Sequence, residues 1–237
     1  MSKLLHPFKF KEFSVAHHKC AMKIGVDGVL IGAWTESNDP TEILDIGTGS
    51  GLISLMMQQK FPNAIITALE PNKIAQQQAQ DNFNNSPFAR QPNLELIDLQ
   101  NFKCNNKFDL IISNPPFFEE SVSSGDINRD QARQAVFLPI KEFIQLSAAL
   151  LSINGIINFV YPTQQTNQIL DFAKKSNLTL LQQTVVFPNK LKISKRSLFS
   201  FGKRKQKTLK NQLFIKDHNG DFTQEYKKLT KEFYINF

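Results

Sequence analysis

Only two cysteines stand in the 237 residues of this chain. Cys20 and Cys104 lie far apart and make no metal-type spacing, so a disulfide framework or a cysteine-zinc site does not fit. A reduced, cytoplasmic compartment with free thiols is the expectation. Histidine is scarce as well: the four present form no ligand pattern, which argues against a structural or catalytic zinc. No apolar run approaches the ~20 residues that a membrane span needs. The opening Met1-Ser2-Lys3-Leu4-Leu5-His6-Pro7 lacks the apolar core of a signal peptide. No internal repeat or low-complexity tract appears, although Gln76-Gln77-Gln78 and a general Asn/Gln richness point to a biased composition.

What remains is a soluble globular composition, 41% hydrophobic and 21% charged. The length suits one large domain, or one domain with a small appendage. Phenylalanine is over-used at 21 residues, most of them expected in the core. The net charge is +7 and is unevenly placed. Lys190, Lys192, Lys195, Arg196, Lys203, Arg204, Lys205, Lys207 and Lys210 follow one another with no acid between them. Those nine positives exceed the net of +7, so the rest of the chain sums to −2. Such a segment is either a solvated lysine-rich face or a phosphate contact. Phe199 and Phe201 interleave with it, as in a strand with one buried face or a stacking surface.

From about residue 42, strand and helix patterns alternate. Strands are expected over 42–47, 64–70, 94–99, 108–113, 155–161 and 178–187. Helices are expected over 51–61, 72–84, 141–151 and 163–176. This alternation predicts a parallel sheet covered by helices on both faces. Residues 197–216 read as two further strands around a basic turn, a hairpin at the sheet edge. Residues 1–40 precede the sheet and hold a helix-like stretch, Gly28 to Trp34, placed to cover a ligand.

The chemistry concentrates at strand ends. Asp45-Ile46-Gly47-Thr48-Gly49-Ser50-Gly51 follows the first strand and opens a helix, where glycines let the backbone turn tightly and approach a ligand. A dinucleotide fingerprint asks for glycine three places after Gly49, and Leu52 stands there. Asp45 precedes the turn, Glu70 ends the second strand and Asp98 the third. Three acids suit a cationic ligand with ribose hydroxyls and an adenine amino group, such as S-adenosylmethionine, better than a pyrophosphate. Asn114-Pro115-Pro116-Phe117 follows the apolar strand ending at Ser113. Two prolines stop the ladder there. The stop leaves an amide oxygen, a carbonyl and a ring for a flat amino group.

These residues resemble class I S-adenosylmethionine-dependent methyltransferases of the amino-methylating group. More narrowly, the stretch from Ala21 to Trp34 resembles the signature of the bacterial family that methylates N6 of adenine 37 in valine tRNA. The likeness extends to Phe8 to Val15, to Ser86-Pro87-Phe88 with Arg90, and to Glu225 to Tyr234. His18 stands where an amide or acid is usual, and Phe117 where tyrosine is common. The resemblance implies an α/β, Rossmann-like fold: a seven-stranded, mostly parallel sheet with a C-terminal antiparallel hairpin. It implies a cap over 1–40 and a methyltransferase domain over 41–237, forming one domain overall.

The implied cofactor is S-adenosylmethionine, held by Lys23, Asp27, Asp45, Gly47, Gly49, Glu70, Asp98 and Asn114. Lys23 and Asp27 serve equally as a salt-linked cap on the Gly28 helix. Asn114 and Pro115 would accept from the amino group, and Phe117 would stack on the base. Lys195, Arg196, Lys203, Arg204 and Lys205 would hold RNA phosphates. The partner implied is tRNA, with no metal and no membrane, and a monomer is expected. Residues 118–134 read either as a loop closing on the substrate or as a plain surface loop. Glutamine methylation on a protein, guanine-N2 methylation of ribosomal RNA and a non-catalytic tRNA-binding module remain as alternatives.

Overall fold

A computed structural model describes residues 6–20, 23–116 and 138–236. Strands β1 (Phe8–Lys9) and β2 (Ser14–Val15) pair antiparallel, and helix α1 (Val26–Trp34) follows. The alternating part begins with β3 (Glu42–Ile46), α2 (Leu52–Lys60), β4 (Ile65–Leu69), α3 (Lys73–Asn84) and β5 (Asn93–Glu95). It continues with β6 (Phe108–Ser113), α4 (Ile140–Leu150), β7 (Leu151–Pro162), α5 (Thr166–Lys175) and β8 (Thr179–Phe187). Strands β9 (Arg196–Gly202) and β10 (Leu209–Phe214) and helix α6 (Gln224–Thr230) close the chain.

The main sheet has the order β10-β8-β9-β7-β6-β3-β4-β5. Every pairing in it is parallel except the two that β9 makes, with β7 and with β8. The Rossmann-like expectation holds, with three corrections. The sheet has eight strands, not seven. The antiparallel hairpin is β8–β9, one strand earlier than expected. β9 slots between β7 and β8 and uses both of its edges. It therefore has no edge left for β10, which adds parallel to the outer edge of β8. The third strand is also shorter than expected, ending at Glu95 rather than at Asp98. Its partner β4 ends at Leu69, opposite Glu95, so the ladder has nothing further to pair with.

Both faces of the central strands are covered, so these strands read as continuous apolar runs. Ile43, Leu110 and Ile112 pack on one side with Leu30 of α1 and Leu55 and Met56 of α2. Leu44 and Ile111 pack on the other with Phe143 and Ile144 of α4 and Ile169 of α5. Phe199 and Phe201 belong to the second core, stacked on Phe159 with ring centres at 5.4 and 5.9 Å. They are strand interior and offer no stacking surface to a partner.

The three terminal and middle segments that carried the family likeness meet in space. Phe10 stacks between Phe13 and Tyr234 at 4.8 and 6.2 Å, and Phe13 lies 5.9 Å from Phe88. These segments form an aromatic staple that ties the N-terminal hairpin to the C-terminal end. Helix α1 is clamped separately. At Gly32 a Cβ would fall 2.5 Å from Met56 Sδ, so a larger residue there would have to push the Met56 side chain aside. Lys60 Nζ from α2 donates to Ala33 O at 3.0 Å and to Thr35 O, a cation on the carbonyl end of α1. Among the described residues no helix is long and apolar enough to cross a membrane.

Candidate functional site

From β3 the chain runs outward to β4 and β5, then returns to place β6 on the other side of β3. That reversal opens a crevice at the C-terminal ends of the strands, where ligands of open α/β sheets bind. A pocket lies there, lined by Ile46, Gly47, Leu69, Pro71, Asp98 and Pro115 among others. Ser113 Oγ donates to Ile46 O at 2.7 Å and locks the end of β6 to the end of β3.

Asp45 is wholly buried, and its Oδ2 accepts from Thr48 Oγ1 at 2.6 Å and Ser54 Oγ at 2.7 Å. Its Oδ1 is buried without a hydrogen-bond partner among the described residues. Burial pushes this carboxyl up to about 6, against the pull of those hydroxyls. The turn that follows holds Gly47, Gly49 and Gly51 at φ of 70°, 57° and 82°, a region that side chains with a Cβ rarely adopt. No atom lies within 4 Å of where a Cβ would stand at Gly47 or Gly49, so both backbones face open space. Glu70 is buried, and burial raises its pKa. Its Oε2 accepts from Gly49 N at 2.8 Å and its Oε1 from Asn72 N at 2.9 Å. One lone-pair direction stays on each oxygen for a ligand hydroxyl.

Asp98 does not end a strand. It lies in the loop beyond β5, half-buried at the pocket wall, where its carboxylate accepts from Asn101 N and Nδ2 at 2.8 Å. Asn114 follows β6 directly, and its Oδ1 is buried with no hydrogen-bond partner among the described residues. A Cβ added at Gly28 of α1 would stand 3.9 Å from Asn114 Nδ2 and 3.2 Å from Leu52 Cδ2. The N-terminal helix therefore forms one wall of the site. Pro115 is buried and Pro116 half-buried beside the pocket. Phe117 and residues 118–134 lie outside the described residues.

Asp27, in the first turn of α1, accepts from Arg196 Nε at 3.0 Å, while Lys23 is exposed just before that helix. Arg196 begins β9 opposite Pro162, at the site edge of the sheet. Lys195 is exposed next to it. Lys203 sits at the other end of β9 and donates to Leu151 O at 2.6 Å, at the start of β7. Arg204 and Lys205 follow it, exposed at that far edge, roughly 20 Å away along a seven-residue strand. The basic run is thus divided between two edges. Among the described residues no cluster of His, Cys, Asp or Glu is placed to hold a metal.

Four participants were not singled out from sequence: Thr48 and Ser54, which hold Asp45, Ser113, which locks the two strand ends, and the Gly28 contact. Thr48 and Ser54 are hydroxyls on the turn and on the helix it opens, a legible signal. Ser113 and Gly28 depend on chain approaches that carry no local mark.

The crevice, the glycine cradle and the buried acids are those of a methyltransferase, and comparison with known proteins decides which. Residues 28–173 match the family model "Methyltransferase small domain". The tRNA1(Val) (adenine(37)-N6)-methyltransferase of Christiangramia forsetii is 40% identical, covering 97% of this chain and 98% of that one. This chain belongs to the tRNA1(Val) (adenine(37)-N6)-methyltransferase family. The Actinobacillus succinogenes member is 38% identical, over 97% of this chain and 98% of that one. Among solved structures, a predicted O-methyltransferase of Agrobacterium tumefaciens superposes with a TM-score of 0.68 at 15% identity. It covers 87% of this chain and 96% of that one and supports the fold alone.

S-adenosylmethionine is the cofactor that the sequence resemblance implies, and the residues fit it. The unpartnered Asp45 Oδ1 suits a cationic ligand, and the open faces at Gly47 and Gly49 leave room for its backbone approach. A pH dependence follows. Without ligand, the Asp45 pKa is raised from 3.8 to about 6. The unfolded chain ionises first, so this group's contribution to stability declines as pH rises through that window. A bound cation favours the carboxylate and pulls its pKa down. Cofactor affinity should therefore weaken as pH falls through about 6 and level off above it. Calorimetric titration across that range checks this, with Asp45→Asn expected to flatten the profile. An affinity independent of pH in the wild type would show that Asp45 keeps one protonation state.

Proposed function

We propose that this protein methylates N6 of adenine 37 in the anticodon loop of valine tRNA, working in the cytoplasm where that tRNA is modified. The observation that carries the reading is the Oδ1 of Asn114, buried without a partner among the described residues, between Ser113 and Pro115 of the crevice wall. An acceptor buried without a donor is costly to leave unsatisfied, and an exocyclic amino group supplies the missing donor. The names of the family relatives direct that amino group to adenine in tRNA.

Bound S-adenosylmethionine supplies the methyl group from its sulfonium centre. Asp45, Glu70 and the Gly47–Gly49 turn hold it, with Asp98 and Lys23 at the margins of the crevice and Asp27 steadying α1. The protein's task is to aim a weak nucleophile, because the N6 lone pair is delocalised into the purine ring. Acceptors at Asn114 Oδ1 and the Pro115 carbonyl bind the two N–H groups, draw the nitrogen toward sp³ geometry and turn its lone pair to the methyl. Positioning and fixed dipoles do this without a titrating base. The base must leave its stack to reach the crevice, and Phe117 is the residue assigned to receive its face. Lys195 and Arg196 stand at the site edge, where phosphates of such a loop would run. Lys203, Arg204 and Lys205 stand at the other edge and contribute only a general field.

The deciding experiment is mass spectrometry of nucleosides from unmodified valine tRNA incubated with the protein and cofactor. N6-methyladenosine mapped to position 37 is expected. A methylated protein glutamine with unmodified tRNA would overturn the reading.

A further inference from the structure

The two most exposed large hydrophobic side chains among the described residues are neighbours in one loop. Leu191 is 91% and Ile193 87% exposed, between β8 and β9. They alternate with Lys190, Lys192 and Lys195, all exposed, and none of these lysines has an ion-pair partner among the described residues. No acid stands anywhere in 188–195. The loop is held in shape. Asn189 Oδ1 accepts from Leu191 N at 3.0 Å, which makes a tight turn. Ser194 Oγ meets Thr163 Oγ1 at 2.8 Å, and Lys195 O accepts from Thr163 N at 3.2 Å. Its apolar side chains therefore point outward because the backbone is anchored that way.

The loop also stands in the right place. β8 runs parallel to β7, and the first residue of β9 lies opposite Pro162, so 188–195 rises from the same sheet edge as Asn114. β9 is two strands from β6, roughly 10 Å across the sheet. At its end, Arg196 grips Asp27 of α1, the helix whose Gly28 lies against Asn114. A partner seated on this loop is thus linked, through Arg196 and Asp27, to the helix that lies against Asn114.

We propose that the β8–β9 loop is the tRNA-docking element, and this rests on the tRNA reading above. Lys190, Lys192 and Lys195 contact phosphates of the anticodon arm, while Leu191 and Ile193 pack on ribose and base faces of its unpaired nucleotides. An all-positive loop with apolar side chains between the charges is complementary to a single-stranded polyanion with flat hydrophobic faces. A membrane surface is the competing occupant.

The test measures binding of unmodified valine tRNA to the full chain as a function of salt, alongside cofactor affinity. Lys190→Ala with Lys192→Ala and Lys195→Ala should weaken binding and reduce the salt slope by about 2 to 3. Leu191→Ser with Ile193→Ser should weaken binding roughly fivefold to tenfold while leaving the slope unchanged. The far-edge set, Lys203→Ala with Arg204→Ala and Lys205→Ala, should move affinity by less than about twofold. Cofactor affinity should stay at the wild-type value throughout, which separates docking from folding.

A far-edge set as damaging as the near-edge set would overturn the proposal, as would near-edge variants that bind like wild type. Capture of the wild type on phosphatidylserine vesicles, lost in the serine pair while tRNA affinity is unchanged, would overturn it in favour of a membrane. A wild type that neither binds nor methylates the tRNA would sink the substrate reading itself. A wild type that does both while the loop variants match it would sink only the docking assignment.

Discussion

Asn114→Ala should lower single-turnover methyl transfer by about 10²–10³-fold, with cofactor affinity nearly unchanged. The size follows from where the amide sits. Its Oδ1 is buried and unpartnered, and α1 closes one side through Gly28. In such a low-dielectric place a fixed acceptor is worth far more than in water. Alanine deletes the acceptor without adding bulk, so the amino group can still enter but is no longer aimed. Asp45, Glu70 and the glycine turn are untouched, which is why cofactor affinity should hold. Binding of tRNA should also persist, since the docking loop and Asn114 are separate. Turnover near the wild-type rate under saturating cofactor would remove Asn114 from the chemistry. A parallel collapse of cofactor affinity would make it a cofactor ligand first.

Gly51→Ala should be strongly destabilising. Two costs add at that position. The backbone has φ of 82°, which an L-residue adopts at roughly 1–2 kcal/mol. The new Cβ would also stand 2.4 Å from Cε1 of Phe83, a side chain fully buried in the core. Moving a packed ring costs about 1–3 kcal/mol more. The total of roughly 2–5 kcal/mol lowers the melting temperature by about 5–15 °C in a domain of this size. Gly220→Ala is the internal control. Its φ is 87°, yet nothing lies within 4 Å of the added Cβ, so only the backbone cost applies. Equal melting temperatures for the two variants would show that the Phe83 contact yields without cost. Because Gly51 caps α2 and closes the cofactor turn, cofactor affinity should fall with stability in the first variant and not in the second.

Much of this molecule was legible along the chain. Phe108 to Ser113 is a strand in both readings because its period, length and double-proline stop are local facts. The Asp45 to Gly51 turn was equally readable, since positive φ and the absence of a Cβ are properties of glycine itself. Asp98 misled because residues beyond Glu95 keep an apolar pattern, while the length of a ladder is set by its partner.

Sequence by itself therefore determined the alternation of elements, the cradle for a cationic nucleotide and the amide that waits at the end of β6. The tertiary structure alone decided the rest. It placed β9 between β7 and β8, split one basic run between two edges, and brought Arg196 to Asp27 across 169 residues. The physical reason is the same each time. A turn or a cap is stabilised by its own neighbours, whereas strand order and ion pairing depend on which edges and charges distant segments leave open.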